Sequence, residues 1–317
     1  MENSEIRRWD ELLPDALGLI FRNLSLQEIL VDIPRVCKSW RKTVLGPYCW
    51  QEIDIMDWSL LRDPDTVNRM LQMLITRNSG SLHKLCVSGL PNDSSLSLIA
   101  EHGKDLHNLR LPRSEITNSI VEQVADRFSA VTFLDLSFCK TIGAPALEAF
   151  GKHCPNLTGL KRVMCPFEAI DKSSQDDEAL AVASTMHKLK HLEIAYLLIN
   201  TESVLKILEN CPELEYLDVL GCWNVVLDEK FKKFSRVKLV GPLEEYSETN
   251  GWDACSNYSS SSGYIWDFVA GDLDDQFEML EFFGDDYRSA DADDVGFYYD
   301  YDYGVEHGYP DWLGGSP

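Results

Sequence analysis

Cysteine, histidine and acidic side chains are the groups through which this chain of 317 residues could do chemistry, and their spacing argues against most of it. The nine cysteines are odd in number, dispersed, and never fall as Cys-x-x-Cys, so neither a zinc site nor a secreted disulfide framework is indicated. A nucleophilic cysteine needs a cation or an imidazole to hold its thiolate. Cys86 is the cysteine that strand alternation places on a solvent-facing side, and the pattern prescribes no histidine or basic pair beside it. His83, His102, His107, His153 and His187 fall at element edges, where surface positions are the default. The acidic clusters Asp176-Asp177-Glu178 and Asp293-Asp294 lack calcium-loop spacing, and no glycine-rich phosphate loop is present. The expectation is a chain with no catalytic residue, no metal and no cofactor, which works by binding.

The elements that would position a binding surface repeat along the chain. The pattern Leu-x-x-Leu-x-Leu, with other apolar residues allowed, starts at Trp50, Leu82, Leu106, Val131, Leu157, Leu189, Leu214 and Phe234, in steps of 32, 24, 25, 26, 32, 25 and 20 residues. Most steps are near the leucine-rich-repeat period. The unit at Leu157-Leu160 departs from the pattern, with Arg162 in its third apolar place. A helical signal follows most strand motifs, as in Leu96, Ile99 and Ala100, or Val204, Leu205, Ile207 and Leu208. One strand and one helix cannot close a core, whereas stacked units bury a continuous one. The fold class is therefore mixed α/β: a solenoid over residues 50–242 with a parallel curved sheet inside and helices outside.

Side chains alternate across a strand, so the residues between the apolar positions line the inner face. One row reads Asp54, Cys86, Arg110, Asp135, Lys161, Glu193, Asp218 and Lys238. Beside it run Glu52, Lys84, Asn108, Phe133, Gly159, His191, Tyr216 and Arg236. Parallel strands about 4.8 Å apart would let Arg110, Asp135, Lys161 and Glu193 pair laterally as a charge ladder. Exposed aromatics in a polar face are the usual anchors for a partner. The candidate target-binding residues are Arg110, Phe133, Asp135, Lys161, His191, Glu193, Tyr216 and Asp218, with Phe133 and Tyr216 as anchors.

Ahead of the repeats, residues 8–50 read as three short helices. Pro14 suits a first helical position. Leu17, Ile20, Phe21 and Leu24 then recur at helical steps, and Ser25 with Glu28 forms a capping-box pair that starts a second helix at Leu26. Pro34 is read as opening a third helix, in which Val36, Cys37 and Trp40 face inward, ended by Gly46-Pro47. The ordered set Leu13-Pro14, Val36-Cys37-Lys38-Ser39-Trp40 and Pro47-Tyr48-Cys49-Trp50 resembles an F-box. With the repeats, where Cys139 and Cys222, and Cys154 and Cys211, recur at matching offsets, the region from Trp9 to Pro242 resembles the plant F-box/leucine-rich-repeat proteins. The resemblance implies the non-catalytic, substrate-recognising subunit of a Skp–cullin–F-box ubiquitin ligase. Its Skp-type adaptor, and through it cullin, would bind at Leu13, Pro14, Leu17, Ile20, Phe21, Leu24, Leu30, Val36, Cys37 and Trp40. Because Trp50 ends the F-box motif and begins the first repeat, no linker is expected between them.

Residues 243–317 differ again. They hold 19 acidic residues and one basic residue, Arg288, so most of the chain's net charge of −23 lies there, together with 17 aromatics. Self-repulsion favours disorder over most of this tail, with Asp272 to Phe283 the one candidate helix. Trp252 or Trp266 is a candidate to fold back over the apolar end of the solenoid. An acidic-aromatic tail also raises a second reading, a scaffold or transcription-linked adaptor acting through it. The negative charge disfavours nucleic acid. No apolar run approaches about 18 residues, so no membrane span is expected, and residues 1–12 lack a signal-peptide core. Nucleus or cytoplasm is the expected location.

Overall fold

The computed structural model describes residues 9–78, 80, 82–165 and 174–242. The chain divides into two units, Met1–Tyr258 and Ser259–Pro317, and all described residues belong to the first. The predicted disorder of the tail and its candidate helix lie outside the described residues.

Helix α1 spans Pro14–Phe21 and starts, as expected, with proline in its first turn. Leu17 and Phe21, one turn apart, enter the core, where the Trp40 ring meets Phe21 edge-on at 5.1 Å. Gly18 permits close packing: a Cβ there would lie 2.5 Å from the Tyr48 carbonyl oxygen. The capping box forms, with the Ser25 N–H donating to Glu28 Oε2 at 2.8 Å and the Glu28 N–H to Ser25 Oγ at 3.2 Å.

The expected third helix at Pro34 is corrected. The chain winds through a π-helical turn, Glu28–Asp32, directly into α2, Ile33–Val36, so Pro34 lies within a continuing helix. Proline has no N–H for the carbonyl four residues back, and the wider turn lets the Ile33 N–H bond to Glu28 instead. The break comes at Cys37, extended at φ −161°, which caps α3, Lys38–Leu45. This break shifts the helical phase. Val36 consequently points to solvent and Cys37 is half-buried, rather than both facing inward.

A 3-10 turn, Pro47–Cys49, then leads into β1, Glu52–Asp54. Trp50 between them is buried, and its indole donates to the Val44 carbonyl at 2.8 Å. The Asn78 side-chain amide donates to the Trp50 carbonyl, and the His83 N–H to that of Gln51 at 2.8 Å. One tryptophan thus bonds backward to the F-box and forward to the first repeat, with no linker between.

Seven more three-residue strands complete the sheet: β2 Lys84–Cys86, β3 Asn108–Arg110, β4 Phe133–Asp135, β5 Gly159–Lys161, β6 His191–Glu193, β7 Tyr216–Asp218 and β8 Lys238–Val240. All pair in parallel and in chain order. The helices between them are α4 Met56–Ser59, α5 Pro64–Arg77, α6 Asp93–Glu101, α7 Asn118–Val124, α8 Ala144–His153, α9 Asp176–Thr185 and α10 Thr201–Asn210, while the last unit has only a 3-10 turn, Glu229–Phe234. From β1 to β7 the middle residue of each strand, such as Leu85, Leu109 or Leu217, is buried, while Leu239 of β8 is half-buried. Helix-start side chains link one unit to the next: Asp93 accepts from the Thr117 N–H, Asn118 from Gly143, Asp176 from Asn200 and Thr201 from Val226. The repeated cysteines do the same inside. Cys139, Cys154 and Cys222 each donate a thiol at 3.2 Å to a carbonyl of the preceding unit, and Cys211 does so at 3.5 Å.

Two further expectations are corrected. Cys86 is buried rather than solvent-facing, and burial pushes its thiol up to about 12. The eighth strand pairs Leu217 with Leu239, so Lys238 stands in the flanking row beside Tyr216 and Val240 in the central row, displacing Arg236 and Lys238 from their expected places. Val237 and Leu239 alternate at period two, and the core accepts Leu239 opposite Leu217. Arg162 does occupy the third apolar position of its unit: it is 1% exposed and pairs through Nε with Glu178 Oε2 at 2.9 Å. Its Nη atoms donate to the Leu136 and Ile142 carbonyls, and Gln175 donates to Glu178, so the buried charges are matched and hydrogen-bonded.

Candidate binding surfaces

The F-box and the open face of the sheet are two places where these elements present side chains for binding. Of the ten residues expected to meet an adaptor, Leu13 (72%), Val36 (58%) and Ile20 (42%) are exposed. Pro14, Leu24, Cys37 and Trp40 are half-buried. Leu17, Phe21 and Leu30 are spent inside the module, and a side chain with no free surface shapes a face without touching a partner. The sequence reading also missed Trp9, Leu19 and Leu45, all exposed and apolar. Their signal was present, since each is a large apolar residue off the Leu17–Phe21 stripe.

On the open face the central row runs Asp54, Cys86, Arg110, Asp135, Lys161, Glu193, Asp218 and Val240. The charges divide into pairs rather than one ladder. Arg110 Nε stands 3.6 Å from Asp135 Oδ2, and Lys161 Nζ 2.7 Å from Glu193 Oε2. The Glu193 carboxylate also meets His191 Nε2 at 2.8 Å. Burial alone would raise the Glu193 carboxyl, but hydrogen bonds and charge from Lys161 and His191 outweigh it and hold the carboxyl below its ordinary value. Asp218, next in register, is pushed up by burial, against one hydrogen bond from the Leu220 N–H at 2.8 Å.

The two aromatic anchors are half-buried because they are laminated. The Phe133 ring lies across β5, where a Cβ on Gly159 would fall 2.5 Å from it, and the Arg110 guanidinium sits 5.7 Å from the ring centroid. Tyr216 stacks on His191 at 4.5 Å and 5° between planes, with Lys238 Nζ at 5.6 Å from its ring. The eight candidate residues therefore form two clusters, Arg110–Phe133–Asp135 and Lys161–His191–Glu193–Tyr216–Asp218, with Gly159 between. Each offers an aromatic surface rimmed by charge.

A third row escaped the sequence reading. Three residues after β2, β3, β4, β6 and β7 the backbone turns through positive φ, at Gly89, Arg113, Phe138, Tyr196 and Gly221. Non-glycine residues there carry strain of order 1 kcal/mol or more, and these three are large. The Arg113 guanidinium lies 5.1 Å from the Phe138 ring, beside the Arg110–Phe133 cluster. The signal was a recurring position three residues after these strands, held by glycine at Gly89 and Gly221 and by bulky residues between them.

An F-box continuous with a parallel repeat sheet defines a class of protein: a helical docking module on a leucine-rich-repeat solenoid. Comparison with known proteins agrees. The F-box domain family matches residues 9–52. F-box protein FBW2 of Arabidopsis thaliana is 51% identical over 293 residues, covering 90% of this chain and 92% of that protein. F-box protein SKIP19 of the same plant is 34% identical, covering 76% and 78%. Putative F-box/LRR-repeat protein 9, also of Arabidopsis thaliana, is 31% identical, covering 71% and 92%. The chain belongs to the F-box/leucine-rich-repeat proteins. Members of the F-box family are in general adaptor subunits of ubiquitin ligases rather than catalysts.

Proposed function

We propose that this chain is the substrate-recognition subunit of a Skp–cullin–F-box ubiquitin ligase. A Skp-type adaptor docks on the exposed apolar face of the F-box, and cullin is reached through it. Protein targets bind the open face of the repeats through the Phe133 and Tyr216 clusters, for ubiquitination and degradation. The observation that carries the reading is the Trp50 joint. It holds a partner-seeking apolar surface in fixed relation to a charge-rimmed aromatic surface, and transfer to a target lysine depends on such positioning. The buried thiols support a non-catalytic role. Burial raises Cys86, Cys154 and Cys222 to about 12, and Cys49, Cys139 and Cys211 to about 11, the opposite of what a nucleophile needs. The proposed location is nucleus or cytoplasm.

The test is affinity capture of the chain from plant cells under proteasome inhibition. Adaptor and cullin in stoichiometric amount, with targets that accumulate when Leu13 and Val36 are both changed to alanine, are expected. Capture of stable partners without adaptor or cullin would overturn the reading in favour of a scaffold.

A further inference from the structure

The last repeat unit differs from the others in what it leaves uncovered. Its turn exposes Trp223, Val226 and Leu227, although a stacked unit normally hides its apolar residues. Among the described residues β8 has no strand on its far side, and Leu239 and Val240 are only half-buried. The same unit is strongly basic: Lys230, Lys232, Lys233, Arg236 and Lys238 fall within nine positions. The first three make exposed pairs with Glu202, Glu229 and Glu209 at 2.6–2.8 Å, weak in water and easily exchanged for another carboxylate. Arg236 and Lys238 have no carboxylate partner among the described residues.

The described chain ends against this patch. The Pro242 carbonyl accepts the Gly221 N–H at 3.0 Å, two residues from Trp223. The sequence immediately after Pro242 has the complementary chemistry. Residues 243–258 carry Glu244, Glu245, Glu248 and Asp253, the aromatics Tyr246, Trp252 and Tyr258, and no cation.

We propose that residues 243–258 of this chain dock on the terminal repeat, with Tyr246 and Trp252 over Trp223, Val226 and Leu227 and the glutamates against Arg236 and the neighbouring lysines. Ten residues of chain span roughly 17 Å on average, or three to four strand spacings, so Trp252 is within reach of the patch from Pro242. Tethering also gives this segment an effective concentration near the millimolar range, which a second copy or a foreign acidic peptide must match to displace it. The contact closes the open end of the solenoid and is independent of adaptor binding.

Hydrogen exchange on the full-length chain tests it. In the variant Tyr246→Ala with Trp252→Ala, amides of residues 223–240 should exchange at least tenfold faster while those of β2 to β6 stay unchanged. Lys233→Glu with Arg236→Glu should do the same, and adding Glu244→Lys with Glu248→Lys should restore protection. Unchanged exchange in the aromatic variant would overturn the proposal. So would protection that grows with protein concentration, which would make the occupant a second copy. Failure of the charge swap to restore protection would overturn the assigned ionic contact.

Discussion

Leu13, Leu19, Ile20 and Val36 stand exposed in the F-box beside a small core of Leu17, Phe21 and Leu30, whereas from β2 to β7 every central strand residue is a leucine without exposed surface. Of the eleven exposed large hydrophobics among the described residues, six lie between Trp9 and Leu45, so apolar binding surface is concentrated in the module too small to bury it. The repeats show the reverse economy. Stacking hides their apolar residues, and the face left over is built of charge pairs and aromatics held by neighbours. An apolar face left open suits a partner that stays bound, because water contact is its alternative. A charge-rimmed aromatic face suits partners that come and go, because several of its charges are already paired in the free state. Under the proposed function, the adaptor would take the first surface and changing targets the second.

The sharpest difference between the two regions should appear in their interiors. Arg162→Ala leaves the Glu178 charge buried, and breaking such a pair costs about 3–5 kcal/mol. Urea unfolding of the variant should show that loss, and replacing both partners together, Arg162→Met with Glu178→Leu, should recover most of it. A loss below about 1 kcal/mol in the single variant would mean that the pair is not a core element of the repeats.

In the F-box, interior and surface should separate cleanly. Phe21→Ala should destabilise the module by about 3–5 kcal/mol. Leu13→Ala with Val36→Ala should leave stability within about 0.5 kcal/mol yet reduce adaptor binding at least tenfold. Calorimetry and adaptor titration on the two variants check both halves. Undiminished adaptor binding by the surface variant would break the assignment of that face.

How far this division was legible in sequence depends on the range of the interactions involved. The strand positions and the rows of β1 to β7 derive from leucine spacing, because a period-two alternation against a buried core admits one register. That logic fails at β8, where Val237 and Leu239 fit either of two registers and the contact with Leu217 decides. The capping box of Ser25 and Glu28 was legible because it is local. The break at Cys37 was not, since it arises from how Pro34 is accommodated by a π turn. Arg162 could be marked as irregular, but its partner could not be named, because Glu178 lies 16 residues away in sequence. Phe133 and Tyr216 could be placed on the open face. Their lamination depends on Gly159 and on His191 in neighbouring strands.

On the open face, target capture should depend on the aromatics more than on the paired charges. Truncating Phe133 or Tyr216 to alanine removes an apolar contact worth about 1.5–3 kcal/mol, while Lys161→Ala removes one member of a half-exposed pair worth about 0–1 kcal/mol. Capture by the three variants ranks the contributions. Loss confined to Lys161→Ala would make recognition on this face electrostatic and dissolve its contrast with hydrophobic docking on the F-box.

The smallest expected effect tests whether the polar face is satisfied in the free chain. Glu193 and Asp218 are neighbours in register with opposite shifts. A carboxyl held below its unfolded value adds stability at neutral pH and loses it as pH falls through the folded value. Glu193→Gln should therefore cost stability above the ordinary carboxylate value of 4.5, with the cost fading in more acid solution. A carboxyl held above its unfolded value does the reverse: ionised Asp218 opposes folding at neutral pH, and the penalty disappears as it protonates. Asp218→Asn should gain stability near pH 7 and lose that gain as pH falls towards 3.8. Both changes should stay below about 1 kcal/mol, because water screens part of each charge. Denaturant titrations across this range read the two signs directly. If both variants shift the same way, His191 and Lys161 do not discriminate between the two carboxylates, and the face is a uniform acidic patch rather than a set of matched clusters.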